Sequence, residues 1–439
     1  MRLRSIALHF MGLTLLMTIS GTPSEAKFPG FNKDESQVPE YQLPEVLVFR
    51  DGTTVTSAEA WSTRRRGELL ELFEQHVYGT TPSIDVPYQV VEESIDREAL
   101  GGTATRKQIA IELDGDPNRS RIELLLYLPN QAEPPVPVFF GLNFGGNHTV
   151  HRDPGIWLSK SWIANDKGGG VVNNRANEKA RGGSRGRWPV EMILQRGYAL
   201  ATVYYGDFDP DFDDGFRNGV HPLLHGTNEN EEADASPRAP DDCGAIGAWA
   251  WGTRIMVTLL AAEETIDREQ IAIMGHSRLG KTALWAGAQD ERVALVISNN
   301  SGCGGAALSR RRFGERLVHI NTNFPHWFCA RFRDYNEKED ELPVDQHLLI
   351  SLVAPRGVYI ASAVEDHWAD PRGEFLAAKA AEPAYQLLGK RGLGVDDLPA
   401  VDTPVGHTIG YHIRSGGHDV IRYDWERYLD FADRLYGRE

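Results

Sequence analysis

Cysteine is scarce in this chain, and the few cysteines are widely spaced. The 439 residues include only three, Cys243, Cys303 and Cys329, and none of them belongs to a CxxC pair. Because no CxxC pair exists, neither a catalytic nor a metal-binding role is indicated for them. One disulfide with one buried thiol left over fits the odd count, but the spacing does not identify a pair. A chain of this length can also fold without disulfides.

Positive charge and long apolar runs are also lacking. Lys and Arg number 46 against 62 Asp and Glu, which gives a formal net charge of −16. Such an acidic surface argues against nucleic acid or an anionic membrane as a partner. No segment after the N-terminal region is apolar over the roughly 20 residues that a membrane span requires. The sequence also lacks repeats, low-complexity linkers and long runs of like charge, which favours one folded unit.

The first 26 residues are typical of a secretory signal peptide. Arg2 and Arg4 precede an apolar stretch near residues 6–19, and small residues at positions 24 and 26 fit a cleavage site. The alternative, a buried N-terminal helix, explains neither the basic start nor the small residues. We therefore expect a signal peptide over residues 1–26, a single domain over residues 27–439, and a monomeric protein that is secreted or periplasmic.

Apolar runs and helical patterns alternate through most of the remaining chain, and the run over 245–262 has the composition of a core helix. This alternation predicts an α/β fold, with helices on both faces of a mostly parallel sheet and functional loops at the carboxyl ends of its strands. The predicted strands are 121–129, 136–144, 197–205, 270–275, 293–299, 357–363 and 408–414, and the predicted helices are 245–262, 278–289, 373–388 and 423–436.

Two long stretches, roughly 145–190 and 207–242, lack strong periodicity. Long loops in a compact domain are often binding loops or lids. The aspartates within 207–214 invite a calcium-site interpretation, but Asp214 stands where a calcium loop needs glycine and Val220 where it needs glutamate. We therefore interpret this segment as a solvated acidic loop.

The segment GHSRLGKT, residues 275–282, fits two incompatible patterns. It matches the phosphate-binding pattern G-x-x-x-x-G-K-[ST], and it also resembles the strand-to-helix turn that carries the nucleophile of serine hydrolases. A nucleotide site also needs an acidic residue at the end of another strand to hold Mg²⁺. The next strand ends instead in Asn299 and Asn300, which are poor Mg²⁺ ligands. The motif lies late in the chain and follows an export signal, which further disfavours ATP.

The partners of a nucleophilic serine occur in the expected order. Ser277 is followed by Glu365 and Asp366 at the end of a strand, and then by His418 in the turn SGGHD. Serine, acid and histidine in this order are typical of an α/β-hydrolase. We prefer Asp366 to Glu365 as the acid, and the choice between them stays open. Of the other candidate histidines, His276 is predicted to pack, and His407 and His412 to be structural. The strict elbow G-x-S-x-G would place its second glycine at position 279, where this chain has Leu279.

Four separated motifs between residues 275 and 419 resemble one enzyme family. They read GHSRLGK, NNSGCGGAALSRRRFGE, EDHWADPRGE and SGGHD. Together they resemble the bacterial glucuronoyl esterases of carbohydrate esterase family fifteen, whose signature around the nucleophile, G-x-S-R-x-G-K, accounts for Leu279. The resemblance implies an α/β-hydrolase fold, a three-layer sandwich with a mostly parallel central sheet and long inserted loops. It implies no metal and no cofactor.

The resemblance also implies a substrate and the roles of individual residues. Family members cleave the ester between (4-O-methyl)glucuronic acid of glucuronoxylan and an alcohol of lignin. Fungal members place the triad acid where this chain has Asn300, a departure that moves the acid to Asp366, as among bacterial relatives. The remaining roles, carried over by position, are Ser277 as nucleophile, His418 as base, Arg278 as oxyanion stabiliser, and Lys281, Glu315 and Trp368 as sugar-binding residues.

These residues predict a two-step acyl transfer through an acyl-enzyme on Ser277. A deacetylase acting on xylan is an alternative on the same fold, but it would have no need of Lys281 or Glu315. A non-catalytic glycan-binding protein is an alternative of another class, and the presence of all three triad residues argues against it. The sequence does not identify the preferred alcohol, the need for the 4-O-methyl group or the length of xylan recognised.

Overall fold

The structure is a computed structural model that describes residues 31–113, 121–225 and 238–438. Its centre is a ten-stranded sheet, accompanied by a two-stranded hairpin. The strands are β1 (Tyr88–Glu98), β2 (Ala104–Leu113), β3 (Arg121–Pro129), β4 (Val136–Asn143), β5 (Val171–Val172), β6 (Arg175–Ala176), β7 (Ala199–Tyr204), β8 (Ile266–His276), β9 (Leu295–Asn299), β10 (Gly357–Ala363), β11 (Val405–Gly406) and β12 (Ile409–Arg414). The predicted signal peptide lies outside the described residues.

The order of the strands places the candidate site. Across the large sheet the order is β1-β2-β3-β7-β4-β8-β9-β10-β12-β11. The run from β7 to β12 is parallel, whereas β1 to β3 and β11 pair antiparallel at the two edges. From β4 the chain first goes to β7 on one side and then to β8 on the other. Ligands of open α/β sheets bind at such a switch point, outside the carboxyl ends of the strands.

Helices cover both faces of this sheet. They are α1 (Ala58–Ala60), α2 (Arg66–Phe73), α3 (Ala99–Gly102), α4 (Val190–Gln195), α5 (His221–His225), α6 (Ala245–Ala262), α7 (Arg278–Gln289), α8 (Leu317–Asn323), α9 (Gln346–Ser351), α10 (Pro371–Ala380), α11 (Glu382–Leu387) and α12 (Arg422–Tyr436). Helix α6 is long and apolar enough to cross a membrane, but 72% of it is buried inside the structure. It is the predicted core helix.

Two hydrophobic cores lie on opposite sides of the sheet. In β4, Phe140 and Leu142 belong to one core and Phe139 to the other, because successive side chains of a strand point to opposite faces. The first core includes residues of α6, α7 and α10, and the second includes residues of α4 and α12. The sheet is therefore the middle of three layers, and the predicted α/β class is confirmed.

The structure also differs from the sequence predictions in its helices and strands. The helix predicted over 373–388 is two helices, α10 and α11, that meet at Ala381. Pro383 explains the break, because proline has no N–H to continue the helical hydrogen bonds. Strands β1 and β2 and helices α1 and α2, all before residue 121, lie where the sequence pattern made no prediction. The single domain over residues 27–439 stays a prediction.

The prediction of a solvated acidic loop over 207–214 is wrong for most of its aspartates. Asp207 is 2% exposed and accepts hydrogen bonds from the Ser161 hydroxyl and the Glu123 backbone N–H. Burial raises the pKa of Asp207 to about 8. Asp209 is also buried, 3.3 Å from the ring of His221. This part of the loop is held inside the protein by specific polar contacts.

Candidate active site

Ser277 occupies a strained turn between β8 and α7. Its backbone has φ 57° and ψ −126°, outside the regions that a residue with a Cβ normally adopts. The Ser277 N–H donates to the Asn299 carbonyl at 2.9 Å, which ties the turn to the end of β9. The side chain is half-buried, at the N-terminus of a twelve-residue helix. This geometry is that of a nucleophile elbow, where helix N–H groups favour a developing negative charge.

Two glycines permit this turn. A Cβ on Gly275 would lie 1.8 Å from the Leu279 carbonyl oxygen, and a Cβ on Gly280 would lie 2.9 Å from the Ser301 Cβ. Leu279, by contrast, is a buried core residue with 2% exposure. The close approach of helix and sheet therefore falls at position 280, and this explains why the strict elbow spacing is shifted by one residue.

His418 and Asp366 meet at the carboxyl ends of β12 and β10. The Nδ1 atom of His418 lies 2.6 Å from Oδ2 of Asp366, and the same oxygen accepts a hydrogen bond from the Asn300 amide at 2.7 Å. Burial would raise the pKa of Asp366, but these two donors outweigh it and lower the pKa. Glu365 is exposed, whereas Asp366 is 6% exposed. The carboxylate that orients His418 is that of Asp366.

His276 links the two halves of the site. Its ring centroid lies 4.6 Å from that of His418, and its Nδ1 atom lies 2.7 Å from Oδ1 of Asn299. The two rings are tilted by 43°, and since His276 immediately precedes Ser277, this contact places His418 beside the residue next to the nucleophile. His412 is fully buried between Tyr359 and Asp424. The two asparagines at the end of β9 thus support both histidines of the site. Asn299 contacts His276 directly, and Asn300 donates its amide to Asp366, the partner of His418.

A buried arginine holds the turn that carries His418. Arg414, at the end of β12, is 2% exposed, and its guanidinium pairs with Asp424 in α12 at 2.9 Å. The same guanidinium donates to three backbone carbonyls on both sides of His418, those of Ser415, Gly417 and Asp419. One side chain thus fixes the path of the whole turn.

Arg278, the first residue of α7, is fixed by its surroundings. Its guanidinium forms an ion pair with Asp211 and lies 4.6 Å from the centroid of the Trp327 ring. The side chain keeps 27% of its surface exposed, so that it borders the open part of the site. A planar cation held in this way can present its remaining N–H groups to an anion beside Ser277.

Lys281, Glu315 and Trp368 lie together next to the elbow. Lys281 is 3% exposed, and its ammonium donates to the Ser301 carbonyl. Burial lowers the pKa of Lys281, an effect that Glu315 partly offsets. Burial raises the pKa of Glu315 to about 6, against the opposing effects of Lys281 and Trp368. The Trp368 ring is half-buried and packs 4.9 Å from that of Phe31.

Lys281 is therefore a buried lysine and not a solvated one, and Trp368 lies at the edge of the site and not in the core. The nucleotide interpretation of GHSRLGKT also fails, because Lys281 is turned into the protein toward the Ser301 carbonyl. All three cysteines, Cys243, Cys303 and Cys329, are buried thiols outside any disulfide in the part of the chain that the structure describes.

Comparison with known proteins decides the family. The sequence-family model of the fungal glucuronyl esterases matches residues 238–389 of this chain. The carbohydrate esterase MZ0003 from an unknown prokaryotic organism is 50% identical over 404 residues, 92% of each chain. A promiscuous family-fifteen esterase from a marine bacterial metagenome has a solved structure that is 50% identical, with a TM-score of 0.86, and covers 92% of this chain and 100% of its own. The 4-O-methyl-glucuronoyl methylesterase of Phanerochaete carnosa is 32% identical over 84% of this chain and 76% of its own.

The chain belongs to the glucuronoyl esterases of carbohydrate esterase family fifteen. The predicted family is confirmed, and with it the general class of carboxylic ester hydrolase. The matched range of the fungal model contains the elbow and Asp366 but ends before His418. The residue roles in this glucuronoyl esterase therefore rest on the geometry of its own site.

Sequence reasoning missed Glu374, a fully buried acid behind the site. One of its oxygens accepts from the backbone N–H groups of Ser301 and Gly302 at 2.8 and 3.0 Å, and the other accepts from the Ser362 hydroxyl at 2.6 Å. Burial raises the pKa of Glu374 to about 8. Glu374 ends the motif EDHWADPRGE, so its position within a family motif was the available signal.

Proposed function

We propose that this glucuronoyl esterase hydrolyses the ester between (4-O-methyl)glucuronic acid of glucuronoxylan and lignin alcohols, outside the cytoplasm and as a monomer. The observation that carries the proposal is the joint placement of the Ser277 elbow, the His418–Asp366 pair and the Lys281–Glu315–Trp368 cluster at the carboxyl ends of the central strands. The first two supply nucleophile and base, and the third supplies polar groups and a flat ring for a sugar.

The proposed reaction is a two-step acyl transfer. His418, oriented by Asp366, takes the proton of the Ser277 hydroxyl as its oxygen attacks the uronoyl carbonyl. The carbonyl electron pair moves onto oxygen, and Arg278 stabilises this oxyanion through its N–H groups. The tetrahedral intermediate collapses and expels the alcohol, which receives its proton from His418. Water then attacks the acyl-enzyme by the same route and releases the uronic acid and Ser277.

The charge of the substrate fits the site. A glucuronate ester is neutral at its carboxyl group, so no charge must be bound before the reaction, whereas negative charge develops on attack. Arg278 stabilises that charge only as it forms, and such differential binding raises kcat. Lys281 and Glu315 bind hydroxyl groups of the sugar, and Trp368 packs against the ring. These sugar contacts favour a uronoyl ester over the small acetyl group of the deacetylase alternative.

The proposal is tested by comparing benzyl glucuronate with p-nitrophenyl acetate for the wild type and Ser277→Ala. We expect a strong preference of the wild type for the glucuronate ester, and loss of both activities in a variant that keeps the wild-type circular dichroism spectrum. Preference for acetate, equally lost in the variant, would support the deacetylase. Activity retained by Ser277→Ala would refute the nucleophile, and a wild type inactive on both esters would favour the glycan-binding alternative.

A further inference from the structure

Asp211 follows β7 in the segment that the sequence predicts to be solvated, yet its side chain is only 6% exposed. Its Oδ1 atom accepts hydrogen bonds from His326 Nε2 and Trp327 Nε1, both at 2.8 Å. Its Oδ2 atom accepts from the Tyr205 hydroxyl at 3.0 Å and from the Arg278 guanidinium. A carboxylate can accept about four hydrogen bonds, and four side chains supply them here.

Apart from Arg278, the donors to Asp211 are themselves fixed by contacts with α6. The carbonyls of His326 and Trp327 accept the backbone N–H groups of Ala245 and Ile246 at 2.8 and 3.1 Å, at the start of α6. The Tyr205 ring, at the end of β7, packs edge-on against Trp249 of α6, with centroids 4.9 Å apart. The carboxylate of Asp211 is thus positioned by the core helix and by a central strand.

Arg278 is the one partner of Asp211 that borders the open site. Aromatic rings surround its guanidinium on other sides, at 4.6 Å for Trp327, 5.6 Å for Phe324 and 5.7 Å for Phe144. Burial would raise the pKa of Asp211, but His326 and Arg278 lower it to about 2, so the carboxylate is ionised near neutral pH. An ionised acid, rather than a neutral one, pairs with the arginine.

We propose that Asp211 is a positioning residue for the esterase reaction, which fixes the Arg278 guanidinium in the orientation that stabilises the oxyanion. The inference rests on the proposed function only in that it takes Arg278 as the oxyanion stabiliser. Long arginine side chains have many rotamers, and a donor lowers a barrier most when it is oriented before charge develops. Asp211 supplies that orientation from a loop that does not itself touch the reacting atoms.

The variant Asp211→Asn distinguishes positioning of Arg278 from a purely structural role of Asp211. The Asn oxygen can still accept from His326 and Trp327, whereas its NH₂ group would face the guanidinium donors and break the contact with Arg278. We expect kcat for benzyl glucuronate to fall about 10- to 100-fold, the range for a misplaced catalytic group, with KM changed by less than about twofold. KM is expected to hold because the bound ester carries no oxyanion before Ser277 attacks, so the contact with Arg278 strengthens only on the way to the tetrahedral intermediate.

Asp290→Asn is the matched control. Asp290 follows the far end of α7, is equally buried with 6% side-chain exposure, and binds the Arg292 guanidinium through both oxygens. We expect this variant to lose stability but to keep kcat per folded protein, with folding measured by circular dichroism. A loss of kcat through destabilisation alone would appear in both variants.

A double-mutant cycle with Arg278→Met completes the test. If Asp211 acts through Arg278, Asp211→Asn changes kcat by less than about twofold once the arginine is gone. The proposal is overturned if Asp211→Asn leaves kcat unchanged in the wild type, or lowers it by the same factor in both backgrounds. The cycle is run on p-nitrophenyl acetate as well, because any ester forms an oxyanion. Coupling seen only with acetate would uphold Asp211 while the proposed substrate fails.

Discussion

At the scale of single residues, the site depends on which carboxylate orients His418. The Oδ2 atom of Asp366 forms hydrogen bonds with both His418 Nδ1 and the Asn300 amide. We predict that Asp366→Asn lowers kcat by about 10³- to 10⁴-fold, because an amide that donates to the ring holds the imidazole in the wrong tautomer. The rate of benzyl glucuronate hydrolysis at pH 7, per folded protein, measures this effect.

Glu365→Gln is the control for that prediction, since it neutralises the exposed neighbour of Asp366. We expect it to keep kcat within about twofold of the wild type. The assignment of the acid would be reversed if Glu365→Gln lost activity and Asp366→Asn kept it. The sequence left this choice open because two adjacent acids at a strand end differ only in the direction of their side chains.

The contacts of single residues also explain why Asp211 was wrongly predicted to be solvated. Its partners His326 and Trp327 lie 115 and 116 residues further along the chain, so no local pattern brings them to the acidic stretch. Ser277, Asp366 and His418, in contrast, each sit at a strand end with glycine or a helix nearby, and this local context was visible. The three proposed triad residues therefore left local signals in the sequence, whereas the long-range contacts of Asp211 left none.

At the scale of elements, the turn between β12 and α12 depends on Arg414. We predict that Arg414→Lys lowers kcat at least tenfold, because an ammonium cannot span three carbonyls and Asp424 as the guanidinium does. The buried Asp424 carboxylate, which would lose its guanidinium partner, also costs about 2 kcal/mol of folding free energy. Urea unfolding measures the second effect and initial rates measure the first.

Arg310→Lys is a close control for Arg414→Lys. Arg310 is also buried, and it donates to three carbonyls, those of Asp340, Leu342 and Val344, and to the carboxylate of Asp345. We expect a similar loss of stability with kcat retained. Equal loss of kcat in both variants would show that Arg414 matters only for folding.

Most helices and strands around the site could be predicted because their buried residues follow regular strand or helix periodicity. Strand β10 and helices α6 and α7 fall at the predicted residues, since each is a continuous apolar or helical run between turn signals. Strand β1 is nearly all exposed and rich in charged residues, so it has no apolar face to detect. The break between α10 and α11 depends on a single proline within a helical pattern.

At the scale of the whole molecule, stability is tied to pH through buried acids. Burial, reinforced by the charge of Asp366, raises the pKa of Glu374 from its ordinary value of 4.5 to about 8. An acid whose pKa is higher in the folded state binds its proton more tightly there. It therefore contributes most to stability below its unfolded pKa, and this contribution is lost as pH rises toward 8.

We predict that Glu374→Gln removes this dependence. The Gln amide imitates the protonated acid, with an oxygen for the Ser301 and Gly302 N–H groups and an NH₂ group for Ser362. Between about pH 5 and 8, the free energy of unfolding of the variant should therefore gain on that of the wild type by up to about 1.4 kcal/mol per pH unit. Urea unfolding at several pH values measures the difference, and Glu365→Gln, which removes an exposed carboxylate, should leave the wild-type slope unchanged. If the difference between Glu374→Gln and the wild type did not vary with pH, Glu374 would be ionised in the folded protein, held by the donors around it.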